Sequence, residues 1–120
     1  MNITVLGAGA WGTALAMAAA PRHDVMLWTR DALQAQAMLA ERRNRRYLPE
    51  VALPEALRIS TDHDLALSHA QRGLLVIATP MSALRERLAA LPPQWPVLWL
   101  CKGFESGSGA LGHEIARELR

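Results

Sequence analysis

Short apolar runs alternate along the chain with longer segments of helical period. Asn2–Leu6 (NITVL), Asp24–Trp28 (DVMLW), Leu74–Ala78 (LLVIA) and Pro96–Leu100 (PVLWL) are too short for helices. They are rich in Val, Ile and Leu, as strands buried on both faces are. Arg58–Ser60 reads as a further short strand, third in chain order. Trp11–Ala20 is alanine-rich and helical, ending before Pro21. Asp31 reads as an N-cap, with Gln34 three residues on as in a capping box, and opens a helix running to about Arg43. Asp62 or Asp64 caps the next helix, and Ser82–Leu91 is closed by Pro92 and Pro93. Gly109–Arg120 puts Leu111, Ile115 and Leu119 on one stripe. Asn44–Pro54 (NRRYLPEVALP) has no clear period and reads as a proline-punctuated connection.

Alternation of this kind predicts βαβ units: an α/β protein with a doubly wound, mainly parallel sheet and helices on both faces. The 120 residues suffice for one domain, 1–120, and show no repeat, linker or low-complexity segment. One junction makes the prediction specific. In Val5–Ala16 (VLGAGAWGTALA), Gly7, Gly9 and Gly12 form G-x-G-x-x-G between the first strand and the first helix. The first glycine permits the tight turn, the second lets a pyrophosphate approach the backbone, and the third lets helix and strand pack closely. The helix N-terminus then presents N–H groups and a positive dipole end to phosphate. In this context the turn predicts a Rossmann-type dinucleotide site rather than a flexible corner.

At the end of the second strand an acidic residue would bond the ribose of NAD. Here the sequence is Trp28-Thr29-Arg30-Asp31. A guanidinium at Arg30 suits the 2′-phosphate of NADP, whereas Asp31 has a ready task as helix cap. The alternative for Arg30 is a solvated surface charge. NADP(H) is favoured as cofactor, with NAD(H) left open.

Composition narrows the partners. The net charge is +2 and the pI about 9.3, which suits anionic small molecules without demanding nucleic acid. Arginine supplies nearly all the positive charge, and Lys102 is the only lysine. A single cysteine, Cys101, forms no internal disulfide and fits a reducing, cytoplasmic setting. The N-terminus enters strand-like sequence directly, so no signal peptide is expected. No apolar run approaches the roughly 20 residues of a membrane span. His23, His63, His69 and His113 lack metal-ligand spacing, and Asp62-His63-Asp64 reads as helix capping, so no metal is expected. Arg42, Arg43, Arg45 and Arg46 have only Tyr47 as an aromatic neighbour. They read as a solvated helix end rather than a nucleic-acid surface, or as the border of an entrance that attracts phosphates. Trp28, Trp95 and Trp99 read as core or interface.

Five stretches, GAGAWGTALA, LWTR, NRRYLPEVALP, VIATP and CKGFE, occur in an order and spacing similar to one family. The chain resembles, over essentially its whole length, the N-terminal domain of bacterial NAD(P)-dependent glycerol-3-phosphate dehydrogenase. The tryptophan before the third glycine, the N-x-x-Y-L-P connection and the K-G pair after the fifth strand carry the resemblance. It implies an oxidoreductase that interconverts dihydroxyacetone phosphate and sn-glycerol 3-phosphate by hydride transfer, for glycerophospholipid synthesis. By position, Ala10, Trp11 and Arg30 would contact the cofactor, and the Gly7–Gly12 turn would hold its pyrophosphate. Lys102 would reach both cofactor and substrate. Ala10 stands where the family commonly has serine, leaving a backbone N–H to serve there. Cys101 stands where threonine is usual, and is read as a weaker hydrogen-bonding group, not a nucleophile.

In the family a helical domain follows, with the general acid/base lysine and most groups that hold the substrate phosphate. The resemblance thus implies that residues 1–120 are a cofactor-binding fragment, inactive alone. An apolar face is expected where the second domain would dock, and with it a tendency to self-associate, for example as a homodimer. Two rival functions share the glycine turn. A ketopantoate-type NADP-dependent reductase is disfavoured by the N-x-x-Y-L-P and K-G stretches, and a non-catalytic NADP-sensing module is the other.

Overall fold

The apolar runs assemble edge to edge in a computed structural model that describes residues 1–101, 103 and 105–120. In chain order the elements are β1 (Asn2–Leu6), α1 (Ala10–Ala19), β2 (Asp24–Trp28), α2 (Ala32–Glu41), β3 (Arg43–Asn44) and β4 (Leu48–Ala52). They continue with β5 (Arg58–Ser60), α3 (His63–Ala70), β6 (Leu74–Ile77), α4 (Met81–Ala89), β7 (Val97–Trp99) and α5 (Gly112–Leu119). Five strands form one sheet in the order β5-β2-β1-β6-β7, and every neighbouring pair is parallel. Val5 in the central strand sits between Leu27 and Val76.

Side chains along each strand alternate between two cores, as the two-residue period requires. Val5, Val25, Leu27 and Val76 meet Ala16 and Ala20 near α1 and Met38 of α2 on one face. Leu6, Met26, Trp28, Leu75 and Ile77 meet Ala66, Leu84, Leu88 and Ile115 of α3, α4 and α5 on the other. The sheet is therefore doubly wound, with helices on both faces, as its alternating pattern predicts. Alanines at the helix–sheet contacts let the helix axes come close. Thr4 Oγ1 donates to the Ala66 carbonyl at 2.7 Å and pins α3 over the central strand.

The chain winds outward from β1 to β2 and β5, then crosses back through α3 to β6. Strand order thus reverses between β1 and β6, and in open α/β sheets a crevice for ligands lies outside the carboxyl ends at that point.

Two local features differ from the sequence pattern, and one open alternative is decided. Residues 44–54 are not a plain connection: β3 and β4 pair antiparallel as a small hairpin, Arg43 with Ala52 and Asn44 with Leu48. Most of β4 is exposed, so it carries no burial period to read. Helix α2 stops at Glu41 because Arg42 adopts a left-handed conformation, φ +53°. The Arg42 guanidinium donates to the carbonyls of Pro54 and Leu57, the latter at 3.1 Å, which ties the helix end to the chain ahead of β5. Asp62, not Asp64, caps α3 by accepting from the Leu65 N–H at 3.1 Å. Elsewhere the elements begin or end within a few residues of the expected positions. Strand β7 forms one edge of the sheet, with Leu98 53% exposed and Leu100 also exposed. Among the described residues no helix is long and apolar enough to cross a membrane.

Helix α5 and the loop before it are tied to α4 by ionic contacts. Arg85 donates from Nε and Nη2 to Glu105 at 2.8 and 3.0 Å, and from Nη1 to Glu118 at 2.5 Å. The Arg85 hydrogen bond, then that of Ser108, holds the Glu105 carboxyl below its ordinary range. A carboxyl with a lowered folded pKa contributes stability that is complete above its unfolded value and lost as pH falls through the folded value. Thermal melts between about pH 6 and pH 3 are therefore expected to show an acid limb that Arg85→Ala flattens. An unchanged limb in Arg85→Ala would remove this cluster from the acid response.

Candidate functional site

At the carboxyl ends of β1, β2, β6 and β7 lies an open cleft of about 730 Å³. That volume is within the range of small-molecule and cofactor sites. Gly7, Gly9, Trp11, Arg30, Tyr47 and Thr79 are among the residues that line it.

The three glycines have three different surroundings. Gly7 has φ +114°, and a Cβ there would stand 2.7 Å from the Ala78 carbonyl oxygen. Its N–H donates to the Trp28 carbonyl at 2.8 Å, so the turn is stitched to β2 while it brushes the end of β6. Gly12 is buried, and a Cβ there would lie 2.1 Å from the Gly7 carbonyl oxygen. Only a glycine allows the first turn of α1 to sit this close beneath the loop. Gly9 is the exception. It caps α1 with φ −77° and ψ −170°, a conformation open to any residue, and a Cβ there would meet none of the described residues within 4 Å. The fold requires Gly7 and Gly12, whereas the bare backbone at Gly9 faces open space in the cleft.

Helix α1 starts at this point with no side-chain cap and no acidic residue in its first turn. Its neighbours α2 and α3 are both capped by aspartates, Asp31 and Asp62. An uncapped N-terminus leaves backbone donors and the positive dipole end for an anion.

The expected site residues divide as follows. Gly7, Gly9, Trp11 and Arg30 line the cleft, with Trp11 66% exposed. Gly12 lies under the turn. Ala10 opens α1 with its methyl exposed and is not among the cleft-lining residues. Arg30 follows the end of β2, exposed, on the same rim as Asp31. Asp31 is the α2 cap, accepting from the N–H groups of Leu33 and Gln34 at 3.0 and 3.1 Å. Lys102, expected to reach cofactor and substrate, lies outside the described residues; Cys101 beside it lines the cleft. The Cys101 Sγ–H donates to the Thr79 carbonyl at 3.1 Å, and burial pushes the thiol pKa up. Burial thus disfavours the thiolate, the nucleophilic form of a cysteine.

Several residues enter the site without a sequence signal. Gln34 does not close a capping box. Its Nε2 donates to the Ala8 carbonyl at 2.9 Å, and its Oε1 accepts from the Thr29 hydroxyl at 2.9 Å. The Asp31 N–H donates to Thr29 Oγ1 instead, at 3.2 Å. Asn44, from the hairpin, is 1% exposed and donates from Nδ2 to the same Ala8 carbonyl at 2.9 Å and to Thr13 Oγ1 at 2.8 Å. Trp28, expected as core or interface, also lines the cleft. The Arg87 guanidinium lies 4.8 Å from its ring centroid, and His63 meets the ring edge-on at 5.2 Å. Arg87 Nη1 donates to His63 Nε2 at 3.0 Å. The basic run also separates. Arg42 holds carbonyls, Arg43 donates to the Pro49 carbonyl at 3.4 Å and Arg45 pairs with Glu41 at 2.7 Å. Arg46 lies over Tyr47 at the cleft wall. Among the described residues no three His, Cys, Asp or Glu side chains converge on a metal-sized site.

A family model described as NAD-dependent glycerol-3-phosphate dehydrogenase N-terminus matches residues 2–119. The chain belongs to that family. A glycerol-3-phosphate dehydrogenase (NAD(P)+) of Methylibium petroleiphilum is 65% identical, over 99% of this chain and 37% of its own length. One from Leptothrix cholodnii is 55% identical, over 99% and 39%. The crystal structure of glycerol-3-phosphate dehydrogenase from Coxiella burnetii superposes with a TM-score of 0.81 at 32% identity, over 98% of this chain and 37% of that one. The chain thus spans a little over a third of the length of these relatives, and the cleft lies within the family's N-terminal part.

Proposed function

We propose that this chain is the NADP(H)-binding domain of an oxidoreductase that interconverts dihydroxyacetone phosphate and sn-glycerol 3-phosphate. The observation that carries the reading is the contrast among the glycines: two are demanded by packing, and Gly9 is bare where no described residue approaches. The uncapped start of α1 beside it suits a pyrophosphate. The relatives' name, glycerol-3-phosphate dehydrogenase (NAD(P)+), supports the same cofactor class and reaction.

In this reading the Gly7–Gly12 turn and the backbone at Ala10 hold the pyrophosphate, and Trp11 flanks it. Arg30 pairs with the 2′-phosphate from the rim of β2, which favours NADP(H) while NAD(H) remains a weaker ligand. When bound, the cofactor supplies or accepts the hydride. Lys102, which follows β7 in the sequence, is assigned to both cofactor and substrate. Hydride transfer needs donor and acceptor held about 3 to 3.5 Å apart. The cleft of this chain is open on one side, and the groups that close it and move the proton are assigned to the rest of the relatives' length. The whole protein then serves glycerophospholipid synthesis in the cytoplasm, with assembly as a homodimer.

Arg30→Ala tests the cofactor assignment. Loss of one charge-assisted pair at an exposed rim is expected to weaken NADPH on the order of tenfold. NADH, without the 2′-phosphate, should change little. Equal losses for the two in fluorescence titrations would remove Arg30 from 2′-phosphate recognition.

A further inference from the structure

The Ala8 carbonyl is held by two amides from distant parts of the chain. Gln34 Nε2 reaches it from α2 and Asn44 Nδ2 from the hairpin, both at 2.9 Å. A carbonyl has two lone pairs, and both are used here. The Ala8–Gly9 peptide is trans, so its N–H points opposite to its C=O. With the carbonyl drawn against α2 and the hairpin, the Gly9 N–H is turned away from both. Among the described residues it donates to nothing.

We infer that Asn44 and Gln34 form a latch that fixes the Ala8–Gly9 peptide with its N–H aimed at the bound pyrophosphate. Both are positioning residues that act through the backbone. The inference rests on the dinucleotide reading above and adds to it a device that sets affinity.

The hydrogen bonding at Asn44 supports a dedicated role. Its Nδ2 makes two bonds, whereas its Oδ1 is buried with no donor among the described residues. A buried acceptor without a donor is unfavourable, so a side chain kept only to fill space would be better without one. The Thr13 hydroxyl fixes the amide from the other side, on the first turns of α1. The latch therefore links three elements, α1, α2 and the hairpin, to one peptide plane. The same hairpin carries Arg46 and Tyr47 on the cleft wall. Hairpin position and phosphate-binding geometry are thereby set together.

The test compares two ligands on the 120-residue chain. NADPH carries the pyrophosphate; adenosine 2′-monophosphate carries the 2′-phosphate alone. Gln34→Ala is expected to weaken NADPH roughly threefold, and the Gln34→Ala/Asn44→Ala double variant roughly tenfold or more. Adenosine 2′-monophosphate should bind all variants as it binds wild type. Parallel losses for both ligands in folded variants would reduce the two amides to supports of the fold and overturn the latch. Unchanged NADPH binding would overturn it as well. If the double variant does not fold, Gln34→Ala alone decides by the same ligand comparison, since its half-buried side chain leaves the hairpin intact. Failure of the wild-type chain to bind NADPH would instead contradict the cofactor reading itself.

Discussion

Gly12→Ala is expected to destabilise the chain by about 3 kcal/mol or more and to lower its Tm by on the order of 10 °C. The added methyl would lie 2.1 Å from the Gly7 carbonyl oxygen, a backbone atom that no rotamer change can move. It would also press on the Ala78 side chain at 3.0 Å. Relief requires α1 to lift from the turn, which disrupts the contacts of buried Thr13 and Ala16. It would also separate Thr13 from Asn44. Differential scanning calorimetry of the variant checks the expectation. A Tm within a degree or two of wild type would mean that the close approach at Gly12 is not maintained in solution.

Gly9→Ala is expected to do the opposite. Its backbone suits alanine, and the methyl would project into open space. Losing a glycine restricts the unfolded chain and favours folding, whereas alanine is a poorer N-cap than glycine. The two effects oppose, and the stability change should stay within about 1 kcal/mol. The cofactor should be affected far more. The methyl stands where a phosphate must approach the backbone, and each charge-assisted bond lost costs about 1.5 to 3 kcal/mol. NADPH affinity should therefore fall roughly 10- to 100-fold or more. Neighbouring glycines of one motif thus separate cleanly, one governing folding and the other binding.

The centre of the sheet was legible because β1, β2 and β6 are buried on both faces and so read as continuous apolar runs. Asn2–Leu6 and Asp24–Trp28 match the observed β1 and β2 to the residue. The glycine turn was legible because its three roles depend on spacing along one short segment. The hairpin was not, since the exposed β4 leaves no burial period and its pairing depends on a turn near Asn44. Nor was the target of Gln34. Its position three residues after Asp31 imitates a capping box, whereas its partner Ala8 lies 26 residues away. Asn44 reaches the same carbonyl across 36 residues. Only the folded chain brings these amides to one atom. The Trp28–Arg87–His63 stack is likewise assembled from β2, α4 and α3, with nothing local to announce it.

Calorimetric titration of NADPH into the wild-type chain and into Gly9→Ala tests the central claim most directly. Saturable binding at one site per chain is expected for wild type, with a 10- to 100-fold or greater loss in a Gly9→Ala protein of near-wild-type Tm. Equal affinity for the two proteins, or no saturable binding to wild type, would contradict a pyrophosphate site at this turn.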